Sequence, residues 1–371
     1  MKFNAIVGNP PYQKETKNTS DEQIYNHFMD LSYVLSDETV LITPAKFLYN
    51  AGKTPEEWNK KMLNDKHLKI IYHEIDSNKV FPETSINGGI VITYHNNKKE
   101  FEPITFFGAS NEIVSIKDKV VKNKSFESIK DMVYLQNKFN LEQLNKDFPS
   151  IHNKIGSKGK EKRILSSAFE KLKEVFSEDE DIGKVKILGN YKNEKRIYRF
   201  IDKKYLDNYG NLEKYKIIMS ATDGASGIIG SPIPARIVGK QQIAIPGEGY
   251  TQTFISIGNF DNKEECSNLS KYLMSKFARF MIGTMKATNG LKQNIWINLP
   301  KQDFKNHDDN KIKKDKNLID WSKSITKLDE KANKKYNCKT INQIDAQLYS
   351  KYRLSEEEVQ YIEKMIANVF E

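Results

Sequence analysis

With 371 residues the chain is long enough to bury a sizeable core and to form two or three domains. Its 59 Lys and Arg outnumber 49 Asp and Glu, and the net charge of +10 favours a polyanionic partner, although a lysine-rich chain can be basic without one. Two cysteines far apart (Cys266 and Cys338) and six histidines without ligand spacing argue against a disulfide framework and a structural metal; with no long apolar stretch and no signal peptide, a reduced cytoplasmic setting without a membrane span is expected.

Residues 1–105 alternate short apolar runs with amphipathic stretches, the texture of an α/β sheet. The pattern predicts strands over 3–8, 39–43, 69–75 and 88–95, with helices over 22–35 and 55–63. Thr54 is the expected N-cap of the second helix, with Pro55 at its first position. Phe3, Ala5, Ile6 and Val7 suit a strand buried on both faces. That strand ends in Asn9-Pro10-Pro11-Tyr12. Each proline removes a backbone donor, fixes φ and disfavours helix in the residue before it. The chain therefore leaves the strand extended and rigid, with Asn9 at the carboxyl edge, where open α/β sheets place their ligands.

Such a corner suits methylation of an exocyclic or amide nitrogen, whose lone pair is delocalised and poorly nucleophilic. Two acceptors, the Asn9 side-chain oxygen and the Pro10 carbonyl, can hold both N–H bonds and favour a tetrahedral nitrogen, which is preorganised transition-state stabilisation. Tyr12 can stack on the ring that carries the amine. The same four residues also fit a strand-terminating turn with a surface tyrosine.

Downstream, Leu41-Ile42-Thr43-Pro44-Ala45-Lys46-Phe47-Leu48 reads as a strand and loop, and Val80-Phe81-Pro82-Glu83 followed by 88–94 as another loop and strand. In this order the pieces resemble the second half of the catalytic domain of gamma-class DNA adenine-N6 methyltransferases of type II restriction–modification systems, in particular the large enzymes with an in-chain target recognition region. Segments 216–227, 251–258, 276–280, 296–304, 319–325 and 345–352 resemble that family's recognition region and tail. The resemblance implies S-adenosylmethionine as cofactor, double-stranded DNA as substrate, Asn9, Pro10, Pro11 and Tyr12 as the catalytic motif, and Phe81 as the aromatic that stacks an extruded adenine opposite Tyr12. Phe81 equally fits a loop phenylalanine plugging the core. It also implies an α/β fold: the C-terminal half of a Rossmann-like methyltransferase sheet, then an α/β target recognition domain and a helical tail.

The family's glycine-rich cofactor turn lies upstream of Asn-Pro-Pro-Tyr, where only eight residues precede Asn9. Gly224 to Gly230 and Gly247-Glu248-Gly249-Tyr250 lack the right spacing and read as turns or DNA-facing loops. A split or truncated enzyme is therefore expected. Strand 3–8 would be an apolar sheet edge that needs an upstream polypeptide to complete the cofactor domain.

Residues 106–305 are expected to form the target recognition domain. Basic clusters lie at 117–124, 154–163 and 192–204, the last interleaved with Tyr191, Tyr198, Phe200 and Tyr205. Lys158, Lys160, Arg163, Lys195, Arg196 and Lys292 are the candidate DNA contacts; each cluster also fits a solvated charged face. Residues 155–160 resemble a mobile loop, and the acidic turn 178–181 has no active-site role. Gln293 and Asn294, beside Trp296, are further candidate contacts. Residues 306–371 read as a tail that opens on a charged linker. It ends in a helix capped by Ser355 with Glu358 in a capping box and a core-packing stripe of Val359, Ile362, Met365, Ile366 and Val369.

Two other readings stay open. Asn-Pro-Pro-Tyr also serves enzymes that methylate glutamine amides in proteins, and the chain also fits a non-catalytic DNA-binding specificity fragment or subunit. No convincing acidic-x-Lys nuclease pair is present.

Overall fold

The computed structural model of the chain describes all residues except 1–2, 15–20, 50–52, 75, 83, 85, 87, 105–109, 193, 209, 223–228, 230–232, 287–288 and 369–371. In the first region the apolar runs pair as strands. β1 (Phe3–Gly8) and β2 (Ser36–Pro44) are parallel and joined through helix α1 (Tyr25–Leu35). α2 (Glu56–Asn64) then leads to β3 (Leu68–Glu74), and β4 (Ile90–Asn96) runs antiparallel to both β2 and β3. The order is β1-β2-β4-β3, with β1 at one edge.

The register puts Ile6, Thr39 and His95 side by side on one face and Val7, Val40 and Tyr94 on the other. The first face is covered by α1: Tyr25 and Met29 are fully buried, and Tyr33 stacks on His95 at 3.8 Å. The second face is only partly covered. Phe3 is 50% and Val7 77% exposed, so the expectation of a strand buried on both faces does not hold. Phe28, Leu31 and Val34, on the outer side of α1, are exposed as well.

Two helix starts differ from the sequence reading. Residues 22–23 pair with 13–14 and the Ile24 amide donates to the Tyr12 carbonyl (3.1 Å), so α1 begins at Tyr25. Thr54 does not cap α2; its hydroxyl donates to Asn59 Oδ1 (2.7 Å), and Pro55 takes the N-cap position.

Beyond helix α3 (Asn111–Val121), a short strand β5 (Val133–Tyr134) and the hairpin β6 (Lys184–Tyr191) and β7 (Glu194–Asp202) follow. Then come β8 (Tyr215–Ser220), β9 (Gln242–Ala244), β10 (Glu248–Tyr250) and β11 (Phe254–Phe260). One sheet has the order β9-β8-β11-β5 and another the order β10-β6-β7. Residues 139–212 enclose a small core of their own around β6 and β7. Within residues 155–160, expected as a mobile loop, 156–159 form a tight left-handed turn: Ser157, Lys158 and Gly159 all have positive φ, and a Cβ on Gly159 would lie 2.1 Å from the His152 ring.

Helices α4 (Lys263–Met274) and α5 (Lys276–Gly283) pack with the tail helices α6 (Glu330–Lys335), α7 (Gln343–Lys351) and α8 (Glu356–Met365) in the larger core. Asp345 on α7 is fully buried and accepts the Lys276 and Phe277 amides (3.0 and 2.9 Å), capping α5 from another helix. Burial, with Glu363 nearby, pushes its carboxyl up to about 6. Lys276 pairs with Glu363 at 2.7 Å, and Tyr349 donates to the same carboxylate. The Ser355–Glu358 capping box forms as expected, and Val359, Ile362 and Ile366 are buried; Val369 lies outside the described residues.

Asp345→Ala strips two buried amides of their acceptor and should cost about 3 kcal/mol, read as a lower urea midpoint at unchanged slope. Ser355→Ala should cost only about 1 kcal/mol in the same titration.

Candidate active site

β1, β2 and β3 all run in the direction opposite to β4, so their carboxyl ends share one edge of the sheet. Gly8 sits opposite Leu41, while Pro44 and Glu74 both flank Ile90 at the start of β4. Three segments leave this edge: the Asn9–Tyr12 corner, the turn Ala45–Tyr49 after β2, and residues 76–82, which carry Phe81, after β3.

β1 pairing stops at Gly8 because Pro10 and Pro11 have no N–H to continue it. Asn9 and Pro11 are exposed, and Pro10 is half-buried. The Tyr12 ring packs half-buried against the core, and its carbonyl is held by the Ile24 amide. The Tyr12 hydroxyl is enclosed and makes no hydrogen bond of ordinary geometry among the described residues. Burial pushes its pKa up, and the neighbouring Asn9 side chain opposes that rise. Asn9 and Tyr12 are therefore electrostatic neighbours at the mouth of the edge.

Phe81 is half-buried in a turn fixed by its own amide on Ser77 O (2.8 Å) and by the Ser77 hydroxyl on Thr84 O (2.7 Å). It shares the edge with Tyr12, but β3 lies three strand spacings from β1, about 14 Å. No ring contact joins the two among the described residues, so both rings could stack on one planar ring between them only if the loops converge.

The sequence reading passed over other groups at this edge. Burial, and Lys53 beside it, hold the Lys46 ammonium below its ordinary range. His73 Nε2 and the Tyr49 hydroxyl share a hydrogen bond of 2.8 Å, and burial lowers His73 to about 4, so it is neutral at pH 7. A lone lysine after a strand and a histidine within one carry no spacing signal. Their proximity comes only from sheet order.

The described residues do not offer the glycine-rich cradle that S-adenosylmethionine needs. Gly247 makes the turn between β9 and β10, and Gly249 is required because a Cβ there would lie 2.7 Å from Asn137 Oδ1, which accepts the Tyr250 amide. In the other glycine run, 223–228 and 230 lie outside the described residues. No group of three or more metal-ligating side chains occurs among the described residues.

The candidate DNA contacts fall at separate places. Lys158 and Lys160 are exposed on the 156–159 turn and its end, and Arg163 is held by Glu161 at 2.5 Å. Lys195 is exposed in the hairpin of β6 and β7, and Arg196 lies 5.3 Å from the Phe254 ring and donates to Lys240 O. Lys292 is exposed, whereas Gln293 donates to the main chain of Lys130 and Val133 and Trp296 is fully buried, which gives both a structural role. No hydrogen bond or ion pair among the described residues links the three groups.

Residues 1–81 match the family described as Eco57I restriction-modification methylase. This is the class of enzyme that the Asn-Pro-Pro-Tyr corner resembles. A curated relative, an uncharacterized adenine-specific methylase of Mycoplasma pneumoniae, is 34% identical over 95 residues, 24% of this chain and 22% of that protein. The chain thus spans about a fifth of that relative's length. A solved structure, the type IIG restriction endonuclease BpuSI, aligns over 92% of this chain and 49% of its own at 10% identity, with a TM-score of 0.32. The chain is a mixed α/β protein, and its N-terminal segment is similar to restriction–modification methylases.

Because the Tyr12 hydroxyl makes no well-formed hydrogen bond among the described residues, Tyr12→Phe should leave the melting temperature unchanged or slightly raised. Tyr12→Ala, which empties a half-buried site, should lower stability by about 1–2 kcal/mol. Thermal denaturation of both variants checks this.

Proposed function

We propose that the chain belongs to a site-specific DNA methyltransferase that places a methyl group on adenine N6 within a restriction–modification system, acting in the cytoplasm on double-stranded DNA. The observation that carries this reading is the Asn9–Tyr12 corner at the carboxyl edge of a β1-β2-β4-β3 sheet, in a segment that matches restriction–modification methylases. The sheet is assigned as the C-terminal half of a Rossmann-like methyltransferase domain (1–105). Residues 106–305 are assigned to target recognition and 306–371 to the helical tail.

In this reading the target adenine leaves the duplex and its amine is held by the Asn9 side-chain oxygen and the Pro10 carbonyl. Two accepted hydrogen bonds draw the nitrogen toward tetrahedral geometry and localise its lone pair for attack. Tyr12 covers one face of the base, and Phe81, on the same edge, closes the other after its loop moves inward. The exposure of Asn9 and the half-exposed rings of Tyr12 and Phe81 suit groups that meet a ligand entering from solvent. S-adenosylmethionine supplies the methyl group in methylases of this kind. The part assigned to this chain is to hold and orient the adenine.

The uncovered side of the sheet supports a further part of the proposal. Among the described residues, Phe3 and Val7 on β1 and Tyr72 on β3 are exposed on the face that α1 leaves uncovered, and Phe28, Leu31 and Val34 are exposed on the outer side of α1. Apolar exposure concentrated on an unpaired edge strand and its neighbours marks a surface that another polypeptide covers. We assign that role to a cofactor-binding polypeptide that adds strands beside β1. The same observation favours the second reading, a DNA-binding specificity subunit that is inactive until that chain is bound.

The test is transfer of labelled methyl from S-adenosylmethionine to mixed-sequence duplex DNA by wild type and Asn9→Ala in parallel. Label entering adenine with wild type once the cofactor-binding polypeptide is supplied, and falling by about a thousandfold or more with Asn9→Ala at nearly unchanged DNA affinity, is the expected result. Equal label in both would remove Asn9 from the mechanism. DNA binding without label from either would favour the specificity-subunit reading.

A further inference from the structure

The sequence places DNA contacts in the middle of the chain, yet the fold gathers cations from that region and from the tail around one cleft. A cleft of about 1370 Å³ opens between the end of α3 and the tail helices α6 and α7. Lys119 and Lys124 line it from the α3 side, Lys331 and Lys335 from α6, and Lys351 and Arg353 from the end of α7. Lys316 adds a further cation on the loop that precedes these helices. Asp329 is the single carboxylate in the lining among the described residues, and its Oδ1 is already engaged by the Ala332 amide as the cap of α6.

Most of these cations are not balanced from within the fold. Lys119 pairs with Glu358 at 2.7 Å. Among the described residues, by contrast, Lys124, Lys316, Lys331, Lys335 and Arg353 have no carboxylate within salt-bridge distance, and all five are exposed. Lys331 and Lys335 are one helical turn apart on α6 and therefore point the same way, a like-charged pair that costs helix stability unless an anion relieves it. Lys351 is anchored more deeply, on Gln302 Oε1 (2.6 Å) and Asn317 O (2.7 Å).

The aromatic residues of the cleft set the kind of anion. Tyr336 and Tyr352 are 3% and 5% exposed, with Lys335 and Lys351 lying 4.6 and 5.6 Å from their ring centroids. Their faces are closed, so no platform is left on which a base could stack. Charge without an open ring suits phosphates and not bases. Cations drawn from four chain segments along an open cleft exceed what one small anion can use, and they match a polymer of phosphates. Duplex DNA presents about one charge per 1.7 Å of its axis.

We propose that this cleft is a second DNA-binding surface, which grips the sugar–phosphate backbone of the duplex flanking the site read elsewhere. It contributes affinity and orientation but no sequence discrimination. The proposal rests on the DNA methyltransferase reading and extends it from the recognition region to the tail.

The test uses the full chain and a fluorescently labelled mixed-sequence duplex, with anisotropy followed over about 50 to 200 mM salt. The variant Lys331→Gln/Lys335→Gln/Arg353→Gln should reduce the slope of log affinity against log salt by about 2 to 3, because each phosphate contact accounts for about 0.9. The charge-retaining variant Lys331→Arg/Lys335→Arg/Arg353→Lys should keep the wild-type slope, which separates lost charge from a disturbed tail. A wild-type slope in the glutamine variant, with wild type binding duplex well, overturns the proposal and leaves the methyltransferase reading intact. Failure of wild type itself to bind duplex overturns both. Displacement of bound duplex by polyglutamate as readily as by polyphosphate also overturns it, because the cleft would then suit an acidic protein.

Discussion

Two consecutive prolines after β1 impose the constraint on which the candidate site depends. A strand can extend its ladder only while it has N–H groups to donate, and Pro10 and Pro11 withdraw two in succession. Pairing with β2 therefore ends at Gly8, and the chain regains a main-chain bond only where the Tyr12 carbonyl meets the Ile24 amide. Between those two points the backbone cannot turn into helix or return to the sheet. Asn9 is thereby held at the mouth of the edge with its side chain free of the ladder, and the Pro10 carbonyl is left without a strand partner. A flexible loop would have to order both acceptors at the moment a ligand arrives; in this corner the pyrrolidine rings have already removed that entropy.

The edge and the uncovered face follow from the same sheet. Parallel strands are ordinarily buried on both sides, because their crossover helices cover the faces. β1 and β2 have one crossover, α1, and therefore one covered face. The residues facing the other way, Phe3 and Val7 on β1 and Tyr72 on β3, keep the apolar character of a two-sided core without the second layer. Exposed valine and phenylalanine on an open edge are an aggregation liability in a free monomer, which is why the surface makes physical sense as an interface.

Much of the first region was legible in the sequence because its signals are local. Short apolar runs gave four strands within two or three residues of their ends, and Ser355 with Glu358 gave the last helix with its cap. What failed was non-local. Thr54 has the composition of an N-cap, but a buried Asn59 competes for its hydroxyl. The glycines and lysine of 156–159 suggest a mobile loop, yet the His152 ring fills the space that makes Gly159 necessary and fixes the turn. The same holds at the site. Asn9 to Tyr12 is contiguous and announces itself, whereas Phe81, Lys46 and His73 reach the same edge only through the β1-β2-β4-β3 order, which no window of sequence contains.

Charge follows the same rule at larger scale. A net +10 is a property of composition and says nothing about where a polyanion would lie. The basic stretches that stand out in sequence are partly spent in the fold: Arg163 is tied to Glu161, Lys204 to Asp147 and Arg199 to Glu178. The cleft beside the tail draws Lys124, Lys331, Lys335 and Arg353 from three distant segments and leaves them without carboxylate partners among the described residues. A field able to attract phosphates depends on the excess that remains after internal pairing, and that excess is set by packing. Asp345 contributes to it indirectly: by capping α5 from α7, it fixes the helix whose end carries Lys351 and Arg353.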